Sequence, residues 1–194
     1  MSGISEVSGN SGNSGNSGNI DSAAAILAHP AVTRVSAHLR EAGVAGQIRV
    51  LDGAARTAAQ AADFLGVEIG QIANSLVFTF LADPDSSDES STPPELQPLL
   101  ILTSGAHRVD TAAVQTRLGG HLGRADASFV KDRTGFVIGG VAPVGHLLPV
   151  RTYIDRDLAA YDCIWAAAGH PRTVFPTTFD ELVRVTGAHP LDVT

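Results

Sequence analysis

Apolar residues recur along much of the chain at the spacing of helical faces. Val32, Val35 and Leu39 fall on one such face, which predicts a helix that starts near residue 30 and stops at Gly43. Thr57 is a favourable N-cap residue and predicts a second helix over residues 58–65, ended by Gly66. Further helices are predicted over residues 110–118, with Asp110 near the N-cap, over residues 127–131, and from a cap at Thr178 to Gly187.

Other apolar runs are short and continuous, as in buried β-strands. Residues 72–80 form one run with a polar start, and residues 99–102 form a second that predicts a strand buried on both faces. The acidic, Ser- and Pro-rich residues 83–98 between them predict an exposed loop, so the two strands should form a hairpin. Additional strands are predicted at residues 48–51, 136–138, 151–154 and 163–167.

Helices and strands alternate irregularly in this pattern, and hairpins are as common as crossovers. This predicts an α+β fold with a mixed, curved sheet and flanking helices. Residues 8–19 repeat Ser-Gly-Asn four times and offer no side chain to bury, so residues 1–25 are predicted to be a disordered tail. Residues 26–194 are then predicted to form one domain, because a chain of 194 residues is near the usual size of a single domain.

Composition narrows the class of protein. Hydrophobic residues make up 44% of the chain and charged residues 17%, which is enough apolar material for a core. Cys163 is the only cysteine, which excludes an internal disulfide, a cysteine-based zinc site and an iron–sulfur cluster and suggests a reducing compartment. No membrane-length apolar run or secretory signal is visible, so a cytoplasmic protein without a membrane partner is expected.

The net charge of −7 argues against a surface that coats nucleic acid nonspecifically. Residues 107–133 are locally basic, and either a docked polyanion or a solvated mixed face fits that pattern. The single lysine, Lys131, is followed by Asp132, which excludes a Walker phosphate loop. No two histidines have the spacing of a helical metal site, so neither a cofactor nor a metal is predicted.

The densest signal of unusual backbone lies in residues 134–146, which read TGFVIGGVAPVGH. Glycines adopt conformations closed to other residues and let a ligand approach the bare backbone, whose N–H groups can stabilise a developing oxyanion. Pro143 would rigidify such a loop. A simple glycine-rich turn between two strands is the alternative interpretation.

These residues resemble the TG-apolar-GG-x-x-P-x-G-H signature of the YbaK/prolyl-tRNA-synthetase-associated editing domains. The resemblance extends over roughly residues 29–193. Its supporting segments, in consistent order, are the early helix at residues 54–66, the strand at residues 71–78, the Arg108-Val109-Asp110 motif before a middle helix, and the closing helix at residues 178–187.

The resemblance implies a free-standing deacylase that hydrolyses the ester of mischarged tRNA. A second sieve of this kind is needed because one methylene discriminates by only about 1–3 kcal/mol. The implied partner is the acceptor end of aminoacyl-tRNA, and a synthetase partner is left open. The implied catalytic residues are Asn74, Gly139 and Gly140, and the implied substrate-binding residues are Ser75, Arg108, Asp110, Gly135, Pro143, Gly145 and His146.

At one position the chain departs from the family. Asn74 stands where the family has a lysine that orients the aminoacyl-tRNA end, so the amide keeps hydrogen-bonding groups but lacks the cation. Three interpretations follow: a related deacylation supported by Asn74, a hydrolase of another small acyl ester, or a catalytically silent module that binds the aminoacyl or tRNA end.

For several of these residues a structural role is the alternative. His146 is a proton shuttle or a packing residue, and Asp110 positions ligand or caps its helix. Ser75 orients water or bonds to backbone within a strand. Cys163, on an apolar strand, is predicted to be a core residue rather than a nucleophile.

Overall fold

The computed structural model describes residues 22–83 and 95–194. Six α-helices occur within these ranges: α1 (Ala23–Leu27), α2 (Pro30–Glu41), α3 (Ala58–Leu65), α4 (Thr111–Leu118), α5 (Ala127–Thr134) and α6 (Phe179–Thr186). Two short 3₁₀ helices cover Ile69–Gln71 and Arg156–Ala160. None of the described helices has the length and apolar character needed to span a bilayer.

Eight strands form one mixed sheet in the described part of the chain. They are β1 (Arg49–Val50), β2 (Ile72–Ala82), β3 (Gln97–Ser104), β4 (Gly120–Arg124), β5 (Arg151–Asp155), β6 (Ile164–Ala167), β7 (Thr173–Thr177) and β8 (His189–Leu191). The order is β1-β7-β6-β2-β3-β5-β8, with β4 paired to β2 beside this path. The β2–β3 hairpin is antiparallel, as predicted, whereas β2 and β6 run parallel.

The sheet is covered on both faces, which explains the continuous apolar run of β3. Leu100 and Leu102 face a core built with α2, α5 and α6, while Leu99 and Ile101 face α4. All four side chains are fully buried. A third cluster packs α3 against Ile72 of β2 and its neighbours. The predicted α+β class, with a mixed sheet and flanking helices, is therefore confirmed.

The helix ends follow the predicted capping residues. Thr57 Oγ1 accepts the backbone N–H of Gln60 at 3.2 Å, and Gly66 ends α3 in the left-handed conformation. Asp110 and Thr178 cap α4 and α6 in the same way. These predictions succeed because a cap depends on a few adjacent residues and little on the rest of the fold.

The strand predicted at residues 136–138 is wrong, since these residues form a loop without a strand partner. Gly135 ends α5 with a φ of 77°, and Gly139 has a φ of 87°. Because both glycines have a left-handed conformation, too few extended residues lie between them to pair with a neighbouring strand. The strands β4, β7 and β8 and the short helix α1 were not predicted from sequence.

Two predictions fall wholly or partly on residues that the structure does not describe. Residues 1–21 of the predicted tail lie outside the described residues, whereas α1 begins inside the predicted tail, with Ser22 as its cap and Ile26 buried. Most of the predicted acidic loop, residues 84–94, also lies outside them. On its far side the structure resumes at Glu95, and β3 begins at Gln97.

Candidate functional site

The central strand β2 has one edge that is only partly paired. Its other edge pairs with β3 from Ala73 to Phe80. On the partly paired edge, β6 pairs with residues 72–73 and β4 with residues 78–82. Within the described ranges no strand pairs with residues 74–77 on that edge. Since a strand directs its backbone N–H and C=O groups to alternate edges, some of these groups face the gap.

A cavity of about 240 Å³ lies at this gap. The start of α3 forms one wall, the gap in β2 a second, and the loop that follows α5 a third. Its lining residues include Arg56, Thr57, Asn74, Ser75, Leu76, Ile138, Gly139, Val141, Trp165 and Pro171. The walls are mainly apolar, with a few polar groups near the gap, which is the usual composition of a small-molecule pocket.

Asn74 lies on the α3 side of the sheet. Side chains alternate along a strand, so Asn74 shares a face with Ile72, which packs in the α3 cluster. It lies opposite Thr103 of β3 in the register. The side chain of Asn74 makes no hydrogen bond with any residue that the structure describes, although it lines the cavity. Its amide therefore keeps donors and an acceptor available to a ligand.

Ser75 also lines the cavity, but on the opposite face of β2. Its Oγ is buried and has no hydrogen-bond partner among the described residues. The alternative of a hydroxyl satisfied by backbone therefore does not describe this residue. Buried polar atoms are nearly always paired in folded proteins, so an unpaired hydroxyl beside a cavity indicates a partner supplied from the cavity.

Residues 135–146, here called the glycine loop, are fixed at both ends by Arg34 of α2. Its Nε donates to Gly145 O at 2.6 Å, and its Nη2 donates to Gly135 O at 3.3 Å. The guanidinium also lies 4.8 Å from the ring centroid of Phe136, which is buried. Gly135 and Gly145 thus serve as anchor points of the loop and do not line the cavity.

The two adjacent glycines of the motif have different surroundings. Gly139 lines the cavity, and a Cβ added there would meet no atom within 4 Å. Gly140 does not line it. A Cβ on Gly140 would lie 3.0 Å from the backbone of His170 and 3.1 Å from Pro171 Cδ. Gly140 therefore lets the glycine loop pack against the loop at residues 170–171, which carries the cavity wall formed by Pro171.

The end of the glycine loop faces a separate groove. Pro143, Gly145 and His146 line that groove together with His38, and it shares no residue with the cavity. His146 Nε2 lies 2.8 Å from Ala142 O, and a carbonyl can only accept, so Nε2 carries the proton. Burial lowers the pKa of His146 below its ordinary 6.5, with smaller decreases from Arg34 and His38, against an increase from the Ala142 hydrogen bond.

Arg108 and Asp110 are likewise outside the cavity lining. Asp110 Oδ1 accepts the backbone N–H groups of Ala112 and Ala113, both at 3.0 Å, which is an N-cap of α4. Arg108 is exposed, two residues before this cap. Of the ten site residues that the sequence predicted, the cavity brings together Asn74, Ser75 and Gly139.

A polar cluster lies at the ends of β3 and β5. The buried carboxylate of Asp155 accepts the Ser104 N–H at 3.0 Å and the Thr103 hydroxyl at 3.3 Å. His107 Nδ1 lies 2.8 Å from Asp155, and its Nε2 lies 3.4 Å from Asp157. Each of these three residues offers one metal-type ligand atom, and these atoms lie within 4.8 Å of one another. That no metal is bound stays a prediction.

Sequence reasoning missed several cavity residues, including Arg56, Trp165 and Pro171. Trp165 lies in the predicted strand at residues 163–167, and its place in the cavity follows from the parallel pairing of β6 with β2. Arg56 precedes the Thr57 cap, so its position beside the start of α3 could have been read from the sequence. Its position relative to Asn74 could not.

Several known proteins are similar to this chain in sequence or in fold. YwhH of Bacillus subtilis (strain 168), an uncharacterised protein, is 28% identical over 126 residues, 65% of this chain and 72% of YwhH. A crystal structure of a candidate trans-editing enzyme for prolyl-tRNA synthetase matches with a TM-score of 0.73 and 37% identity, covering 85% of this chain and 97% of that one.

The hypothetical protein APE2540 has the same fold, with a TM-score of 0.69 and 24% identity over 82% of this chain and 98% of that one. The family model of the aminoacyl-tRNA editing domain matches residues 52–185, which is more than half of the chain. This range contains α3, the gap in β2 and the glycine loop. The chain therefore belongs to the aminoacyl-tRNA editing domain family.

Proposed function

We propose that this protein is an aminoacyl-tRNA deacylase that hydrolyses the ester of misacylated tRNA. The observation that carries the proposal is the cavity at the gap in β2, where the Asn74 amide and the Ser75 hydroxyl have no partner among the described residues. Family membership supports the same reaction class. The chemistry requires a pocket for the aminoacyl group and polar groups that position the ester and the water.

Deacylation needs no covalent intermediate with the protein. Water adds to the ester carbonyl, the bond between the carbonyl carbon and the ribose oxygen breaks, and the free amino acid and the ribose hydroxyl are released. Backbone N–H groups at the unpaired edge of β2 are suitable donors for the developing oxyanion. The Ser75 hydroxyl is suited to hold the attacking water, because it is buried beside the same edge.

Asn74 is suited to orient the ester without supplying charge. Its NH₂ group can donate to the carbonyl or to the ribose, and its oxygen can accept from the substrate's α-ammonium group. The walls beside it, which include Ile72, Val141 and Trp165, are apolar. Such walls favour an uncharged aminoacyl side chain, because a charged one would lose its hydration without gaining a partner.

The structural neighbour described as a candidate trans-editing enzyme for prolyl-tRNA synthetase suggests the first substrates to test. We propose tRNA(Pro) misacylated with small, uncharged amino acids. The test is a deacylation screen of misacylated tRNAs with the wild type, Asn74→Ala and Asn74→Lys. Gln47→Ala serves as the control, since it removes an exposed amide outside the cavity.

We expect the wild type to turn over at least one substrate and Asn74→Ala to be slower by roughly 3- to 100-fold. The estimate corresponds to the loss of one hydrogen bond, of about 0.5–1.5 kcal/mol, or up to about 3 kcal/mol with a charged partner. The free energy of unfolding should change little, because the Asn74 side chain bonds to no described residue. Gln47→Ala should match the wild type in both measurements.

Three results would contradict parts of this proposal. Robust wild-type turnover that Asn74→Ala leaves unchanged would remove Asn74 from the site while keeping the function. Binding of misacylated tRNA without turnover, together with a gain of turnover in Asn74→Lys, would identify a silent binding module instead. Hydrolysis of small acyl esters but not of tRNA esters would indicate a hydrolase of another small acyl ester.

A further inference from the structure

Arg56 is the one charged residue in the cavity lining that the structure describes. It is exposed, and its guanidinium makes no ion pair or hydrogen bond with a described residue. An arginine carries five donors and a permanent charge, and its planar fork matches the oxygens of a phosphate. An unused arginine at a cavity rim is therefore available to an anionic part of a ligand.

The backbone of Arg56 is held in place although its side chain is free. Its N–H donates to Gln60 Oε1 at 2.9 Å, and Thr57, the next residue, caps α3. The guanidinium therefore extends from a fixed point at the start of α3. The partial positive charge at a helix N-terminus adds to the positive potential there, although it is the arginine and the cavity that define the site.

Two further arginines near the cavity are engaged elsewhere. Arg172 donates to Leu51 O at 3.2 Å through Nε and at 3.1 Å through Nη2. Arg49 lies over the ring of Trp165, 4.9 Å from its centroid. Both add positive charge to this end of the molecule, but the Arg172 guanidinium is hydrogen-bonded, the Arg49 guanidinium lies against an aromatic ring, and neither residue lines the cavity. Of the three, Arg56 is the one that lines the cavity with its guanidinium unengaged.

We propose that Arg56 binds the phosphate backbone at the 3′ end of the RNA while the aminoacyl group occupies the cavity. This inference rests on the proposed deacylase function. In that substrate, the anion closest to the ester is the phosphate attached to the 5′ oxygen of the terminal ribose. Arg56 then supplies the cation that Asn74, a neutral amide, does not supply. It is a positioning residue for the substrate.

The test compares two substrates and three variants. One substrate is an aminoacylated RNA minihelix, and the other is the matching 3′-aminoacyl adenosine, which has no phosphate. Arg56→Ala removes the cation and Arg56→Lys keeps it, while Arg40→Ala removes an exposed arginine outside the cavity. Steady-state kinetics are measured for the wild type and each variant with each substrate, over a range of salt concentrations.

We expect Arg56→Ala to raise KM for the minihelix by about 10- to 100-fold, the range for a lost charged hydrogen bond, with kcat changed little. With aminoacyl adenosine the same variant should match the wild type. The plot of log kcat/KM for the minihelix against log salt should become shallower by about 0.7, the value for one phosphate of a single strand. Arg56→Lys should lose less, and Arg40→Ala should behave as the wild type.

Equal loss with both substrates would overturn the proposal, because Arg56 would then act on the aminoacyl or ribose part. Equal KM values for the wild type and Arg56→Ala on the minihelix would overturn it as well. If the wild type shows no turnover, the deacylase proposal fails separately. Binding of a minihelix carrying a non-hydrolysable 3′-amide then tests Arg56: a 10- to 100-fold weaker Arg56→Ala supports the phosphate contact, and unchanged affinity refutes it.

Discussion

The two halves of the glycine loop differ in what they contact. In the first half, Val137 and Ile138 are exposed, Ile138 by 61%, and Gly139 borders the cavity with open space beside its Cα. In the second half, Gly140 packs on the loop at residues 170–171, and the residues that follow enter the main core, with Val141 also adding a side chain to the cavity wall. One continuous motif thus contains a short segment that borders the cavity, at residues 138–141, and a longer segment that holds it in position.

This division shows why a glycine motif is difficult to assign to one role. Both halves need residues without a side chain, but for different reasons. Gly139 needs a positive φ, which other residues adopt only with strain, whereas Gly140 needs space against a neighbouring backbone. Variants that separately change the backbone strain at Gly139, the packing of Gly140 and the anchoring by Arg34 can therefore test this difference between the two halves.

The largest expected effect comes from the anchor of the whole loop. Arg34→Gln removes two charged hydrogen bonds, to Gly145 O and Gly135 O, and the contact with the Phe136 ring. We expect a loss of about 3 kcal/mol in the free energy of unfolding, measured by urea denaturation. Arg40→Gln, on the exposed side of the same helix, is the control and should change it by less than about 0.5 kcal/mol. A wild-type midpoint for Arg34→Gln would show that the loop holds itself without α2.

The second prediction concerns the two adjacent glycines. Gly140→Ala should lower the free energy of unfolding by about 1–3 kcal/mol, because its Cβ presses on the His170 backbone. Gly139→Ala should lose about 1 kcal/mol from strain at positive φ, and it should also reduce deacylation, because the methyl group is added at the cavity.

Gly43→Ala is the matched control for the effect of strain. Gly43 also has a positive φ, of 67°, with nothing within 4 Å of an added Cβ, and it lies outside the cavity lining. It should lose as much stability as Gly139→Ala while deacylation stays at the wild-type rate. Equal activity of Gly139→Ala and Gly43→Ala would place Gly139 outside the substrate path. Wild-type stability of Gly140→Ala would contradict the packing of the two loops.

The sequence predicted best those features that depend on neighbouring residues. The caps at Thr57 and Gly66 and the run at residues 99–102 are local signals, and each element formed where it was predicted. Strand β4, with the sequence GHLGR, has no such signal, because it contains two glycines and no β-branched residue. It forms through its pairing with β2, which is a tertiary effect.

For the candidate site, too, the sequence predicted the local segments but not their arrangement in three dimensions. Asn74, Ser75 and Gly139 lie in segments that resemble the family's motifs, and they line one cavity. Gly140, Pro143 and His146 lie in the same motif but face other surfaces, and the sequence has no marker for the direction a loop residue takes. The gap in β2 depends on where two distant strands stop, and no local pattern encodes that distance.

The smallest expected effect concerns the far end of the loop. Burial lowers the pKa of His146 in the folded protein, so below about pH 6.5 the unfolded chain binds more protons at this residue than the folded one. The stability contributed by the neutral imidazole is therefore present above pH 6.5 and is lost as the pH falls toward the lowered value.

His146→Gln keeps a donor for Ala142 O but cannot titrate. We expect the melting temperature of His146→Gln to fall less than that of the wild type between pH 7.5 and 5.0. Deacylation should have the same pH dependence in His146→Gln and the wild type, because the groove that His146 lines shares no residue with the cavity. An altered pH–rate profile in this variant would instead join the second half of the loop to the chemistry and remove the distinction between the halves.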